Sequence, residues 1–128
     1  MRVLLDTHAF LFWVFNAPEL SAKARGLLAD QSNEILVSSV SAWEIATKYR
    51  LGKLPSAHVL VTDISGWVQK AGFHELAMTI AHAQRAGTWP QAHRDPFDRM
   101  LAAQSAIEAV SLVTRDSAFD AFPVDVLW

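Results

Sequence analysis

"EILVSSVSAWEIATKYRLGKL", Glu34–Leu54, is the stretch whose reading decides the fold. Glu34 to Ser39 is apolar and partly β-branched, then turns polar, as a short buried strand does. Ser41 to Leu51 spaces Trp43, Ala46 and Tyr49 as a helix would, and Gly52 is placed to end it. The strand shows no alternation of apolar and polar residues, so it is expected to be covered on both faces.

The same alternation extends in both directions. Arg2 to Leu5, Val110 to Thr114 and Pro123 to Trp128 read as further strands, with Phe73 to Leu76 as a weaker one. Ser21 to Asp30, Val59 to Lys70, Thr79 to Ala86 and Pro96 to Ala109 carry helical patterns, and Pro96 suits a first helical position. Strands alternating with helices predict an α/β domain with a central parallel sheet of four to five strands. No repeat or interdomain linker interrupts the 128 residues, so one domain spanning 1–128 is expected.

Composition narrows the classes. Apolar residues make up 52% of the chain, which argues against disorder. With no cysteine there is no disulfide framework and no thiolate zinc site. "MRVLLDTHAF" does not read as a signal peptide, because Asp6 and His8 break its apolar stretch. The richest apolar run, Ala9 to Phe15, is seven residues, far short of the ~18 needed for a membrane span. A cytoplasmic protein with no membrane association is expected. The formal charge of −2 does not advertise a nucleic-acid binder, although the 11 Lys and Arg residues can still cluster on one face.

Ligands of open parallel sheets bind beyond the carboxyl ends of the strands. Asp6 follows the first strand, and Asp116 follows the strand at Val110 to Thr114. Glu44 lies early in the helix after the second strand. Asp98 lies in the first turn of the helix that starts at Pro96, at the same edge. Each acid has an ordinary structural explanation. Asp95 is a well-placed N-cap, Ser41-x-x-Glu44 fits a capping box, Lys48 stands four residues after Glu44, and Asp116 can cap a short helix at Ser117 to Asp120. Together, four carboxylates at one edge must protonate, find basic partners or bind a cation. Oxygen-only donors point to a hard ion such as Mg²⁺ or Mn²⁺.

"LLDTHAFLFW", "SSVSAWEIATKYRLGKL", "HRDPFDRMLAAQSAIE" and "LVTRDSAF" together resemble a PIN domain, and more narrowly the VapC-type toxins of toxin–antitoxin pairs. The resemblance covers essentially the whole chain. It implies a three-layer α/β/α domain and a Mg²⁺- or Mn²⁺-dependent ribonuclease. Matched motif by motif, Asp6, Glu44, Asp98 and Asp116 take the positions of catalytic metal ligands, and Asp95 is an auxiliary acid with mainly a capping role. The resemblance also implies an antitoxin that blocks the acidic pocket, and a homodimer. "FLFWVF", Phe10 to Phe15, can line the antitoxin groove or serve as plain core, and core is the simpler reading.

Hydrolysis of an RNA phosphodiester needs bases near these acids. Arg99 and Arg115 adjoin proposed ligands and Arg94 is close, while Lys48, Arg50 and Lys53 can track phosphates. Thr7 and Thr114 are placed to hydrogen-bond the acids, a water or substrate. The five histidines show no HExxH spacing, and His8 and His93 are near proposed ligands. Trp43 and Trp67 read as core residues on apolar helical faces.

Other classes fit less well. A phosphoacceptor receiver domain needs a late lysine, and none follows Lys70. A haloacid-dehalogenase-type phosphatase needs Asp-x-Asp after the first strand, where this chain has His8. A catalytically inactive PIN-like module that binds RNA or protein is the alternative to an enzyme.

Overall fold

In the computed structural model, which describes residues Met1–Trp128, the chain enters through the central strand. The strands are β1 (Arg2–Leu5), β2 (Glu34–Ser38), β3 (His74–Leu76), β4 (Ser111–Val113) and β5 (Val126–Leu127). They form one sheet in the order β3-β2-β1-β4-β5 with every pairing parallel. Leu5 pairs with Val37 on one side and Val113 on the other. Asp6 is therefore the first residue past the central strand, and its N–H donates to the Val113 carbonyl at 3.1 Å. From β1 the chain runs outward through β2 to β3, then returns to β4 on the opposite side. That reversal opens a crevice between the loops after β1 and β4.

The helices are α1 (Thr7–Val14), α2 (Ala22–Ala29), α3 (Ser39–Arg50), α4 (Ile64–Lys70), α5 (Ile80–Thr88) and α6 (Pro96–Glu108), with 3₁₀ turns at Pro55–Val59 and Ser117–Ala121. Strand side chains alternate between two cores, as the period of two requires. Val3, Leu5, Ile35, Val37 and Val113 join Phe10 of α1 and Leu28 of α2. Leu4, Leu36 and Leu112 join Leu101 of α6 and Phe119 on the other face. The result is a three-layer α/β/α domain. Helix α3 gives Ile45 to the first core and Val40 to the second, so it spans both layers.

Several elements differ from the sequence expectation. Helix α1 starts with no loop after β1, where only an apolar run was visible. The expected helix Val59 to Lys70 begins instead at Ile64, because Asp63 caps it by accepting from the Gly66 N–H at 3.0 Å. The helix expected at Thr79 to Ala86 runs on to Thr88, with Gly87 inside it. Ser41-x-x-Glu44 is not a capping box: α3 starts earlier, and Ser38 is its cap, accepting from Val40 at 3.0 Å. Trp43, expected in the core, is 57% exposed. Gly52 does end α3, at a φ of 74° that side-chain-bearing residues avoid. No helix is long and apolar enough to cross a membrane.

Candidate active site

A single residue, Asp6, joins β1 to α1. Asp6 Oδ1 accepts from the Ala9 N–H at 2.7 Å as the N-cap. Its Oδ2 accepts from the Thr114 hydroxyl. The same Thr114 oxygen accepts from the Asp116 N–H at 3.0 Å, which ties the loops on either side of the crevice together. Burial raises the Asp6 carboxyl above its usual pKa, against the lowering effect of Thr114 and the Ala9 N–H; nearby Asp116 pushes it higher. Asp116 caps the 3₁₀ turn at Ser117, accepting from Ala118 at 2.9 Å. Asp6, His8, Phe12, Arg115 and Asp116 line a hollow of about 370 Å³ at this edge. Arg115 lies over the Phe12 ring, 5.1 Å from its centre.

A second acidic group faces it from α3 and α6. Glu44 is buried. Its Oε1 accepts from Thr7 at 2.6 Å, and its Oε2 takes the Lys48 ammonium one turn along the helix. Asp95 caps α6, its Oδ1 accepting from Phe97 and Asp98 at 2.9 and 3.1 Å. Asp98, the third residue of α6, holds His93 Nε2 at 3.0 Å. Burial pushes the Asp98 carboxyl up to about 6, with Asp95 and Glu44 adding to the rise and His93 opposing it. Burial lowers the Lys48 ammonium, but Glu44, Asp95 and Asp98 outweigh it and raise its pKa. Lys48 is thus the internal counter-ion of this group.

The structure therefore places the four predicted acids as two groups, Asp6 with Asp116 and Glu44 with Asp98. Thr7 joins them, following Asp6 in sequence and bonded to Glu44. The donors are oxygens, the set a hard divalent ion takes. Burial and mutual repulsion, which hold Asp6 and Asp98 above the ordinary carboxylate range, are what such an ion relieves. In this arrangement no three Asp, Glu or His side chains converge on one point.

Three of the residues expected to meet substrate have other tasks. Arg99 donates to the carbonyls of Ala86, Trp89, Gln91 and His93 at 2.6 to 2.8 Å, which leaves its guanidinium clamping the segment between α5 and α6. Thr7 and Thr114 are buried, and each spends its one hydroxyl proton on a carboxylate. Arg115 alone of that set faces the hollow. Sequence reasoning read Ser41 only as a capping residue, whereas its Oγ lies 3.0 Å from Thr7 Oγ1. The spacing three residues before Glu44 that suggested a cap instead puts Ser41 and Glu44 on one helix face.

Comparison with known proteins follows the same lines. Ribonuclease VapC16 of Mycobacterium tuberculosis is 34% identical over 99 residues, covering 59% of this chain and 70% of that protein. VapBC2 from Rickettsia felis, solved bound to a DNA fragment from its promoter, superposes with a TM-score of 0.73 at 18% identity, over 99% of this chain and 98% of that one. A toxin–antitoxin complex from Klebsiella pneumoniae gives 0.61 at 16% identity, over 98% and 96%. The PIN domain pattern matches residues 3–124, from inside β1 almost to β5. A match of that extent, on a sheet of this order, makes the chain a member of the PIN domain family, with VapC proteins among its relatives.

Proposed function

We propose that this PIN domain is a divalent-cation-dependent endoribonuclease, the toxin of a toxin–antitoxin pair. The observation that carries the reading is the pair of acidic groups, Asp6 with Asp116 and Glu44 with the half-buried Asp98, at the carboxyl edge of the sheet. Asp6 and Asp98 are both held above their ordinary pKa there. Similarity to a protein described as a ribonuclease supports the reaction class.

Asp6, Glu44, Asp98 and Asp116 would hold Mg²⁺ or Mn²⁺. When bound, that ion supplies charge neutralisation at the phosphate and activation of a water. The protein's own groups do the rest. Thr7 and Thr114 fix the carboxylate rotamers of Glu44 and Asp6 before substrate arrives. Arg115 meets a phosphate on the Asp6 side, and Lys48 offers a positive charge on the Glu44 side. His93 orients the Asp98 carboxylate. A second copy of the chain and an antitoxin covering this edge complete the proposal.

The pairing of Lys48 with Glu44 favours one alternative, a binding module in which a lysine has replaced the ion. Defined RNAs incubated with wild type and with Asp98→Asn, in magnesium and in chelator, separate the two. Cleavage by wild type in magnesium alone supports the enzyme. RNA bound but never cut supports the binding module.

A further inference from the structure

Trp43 and Phe97 are each the residue immediately before a proposed ligand, Glu44 and Asp98. Their rings meet edge-to-face, with centres 5.0 Å apart and planes at 74°. On α3 the side chains at Glu44 and Ile45 turn inward and are buried, which rotates Trp43 outward to solvent. A tryptophan is costly to leave in water, and this one is 57% exposed. Two of the partly exposed indoles are covered differently: Lys70 lies over Trp67 and Arg85 over Trp89, at 5.1 and 5.8 Å. Arg50, also exposed, shares the outward face of α3 with Trp43, seven residues on and ~10 Å along the axis.

We infer that Trp43, braced by Phe97, is a stacking platform for an unpaired base beside the phosphate that is cut, with Arg50 meeting the backbone farther along. An aromatic face accepts any base but cannot reach one inside a duplex. The pair therefore selects single-stranded segments or loops. The placement of the cut phosphate rests on the nuclease reading; the stacking does not.

The test uses the full chain carrying Asp98→Asn, in chelator, so that nothing is cut and acidic repulsion is reduced. Fluorescein-labelled oligoadenylate is titrated by anisotropy, alone and annealed to oligouridylate. The parent is expected to prefer the single strand. Trp43→Ala should lose about tenfold in single-strand affinity, with duplex affinity unchanged. Trp43→Leu, which keeps an apolar side chain without a π face and guards against a folding defect, should match it. Trp43→Phe should recover most of the loss. Equal binding of both forms by the parent overturns the inference. So does unchanged single-strand binding by the alanine and leucine variants, including the case where they alter only the oligomeric state. A parent that stacks RNA, with a wild type that never cuts it, leaves the platform standing and removes the nuclease.

Discussion

Thr7 donates its hydroxyl proton to Glu44 at 2.6 Å, across 37 residues of sequence and entirely out of water. The bond joins the first residue of α1 to the middle of α3, and so ties the acid on α3 to the residue that follows Asp6. A carboxylate as buried as Glu44 depends on such partners. Thr7→Val keeps the shape and removes the donor. It should destabilise the fold by about 1–3 kcal/mol, read as a lower urea midpoint, while Thr7→Ser stays near wild type. Equal midpoints for valine and wild type would show that Lys48 alone satisfies Glu44.

Asp98 gives the stability a pH signature. An unfolded aspartate titrates near 3.8, and the folded carboxyl is held at about 6. Between those values the folded protein keeps a proton that the unfolded chain has lost. The contribution of this group to stability therefore falls as pH rises through that window, and stays low above it. Asp98→Asn should be no more stable than wild type near pH 4, gain through the window, and hold its gain at neutral pH in chelator. Urea midpoints across that range measure it. A gain that does not vary with pH would place the burden of charge elsewhere.

Asp95 and Asp98 are separated by the same comparison. Asparagine caps a helix nearly as well as aspartate, so Asp95→Asn should keep both stability and most cleavage. Asp95→Ala, which loses the acceptor for Phe97 and Asp98, should cost about 1 kcal/mol. A large rate loss in Asp95→Asn at unchanged stability would promote Asp95 to a ligand.

Arg99 and Arg115 each adjoin a proposed ligand and should behave oppositely. Arg99→Lys cannot reach four carbonyls from one ammonium and should destabilise by about 2–3 kcal/mol. Arg115→Met should melt like wild type and bind RNA more weakly, with a shallower salt dependence. Reversal of the two phenotypes would return Arg99 to the substrate.

The βα alternation was legible because the central strands are continuous apolar runs and α6 opens with a proline and a capping aspartate. Helix α1 was not. "THAFLFWV" is apolar almost all round, so it shows no helical stripe, and one residue, Asp6, serves as both strand end and cap. The acids were legible as an edge set from strand-end positions. Their division into two groups was not, since it depends on Thr7, Thr114, Lys48 and His93, whose bonds cross the fold. Arg99 misled for a related reason: sequence adjacency to Asp98 says nothing of the carbonyls that surround its guanidinium. The buried His82 gave no signal either. It accepts from the Thr79 N–H at 3.0 Å in a capping box where Glu or Gln is usual.

The central claim is that the two acidic groups jointly hold a divalent ion, and Mn²⁺ titration by calorimetry tests it most directly. Wild type should bind saturably, while Asp6→Asn and Asp98→Asn, one from each group, should each lose most of the affinity and remain folded. Wild-type affinity in either variant, or no binding by wild type, would contradict it.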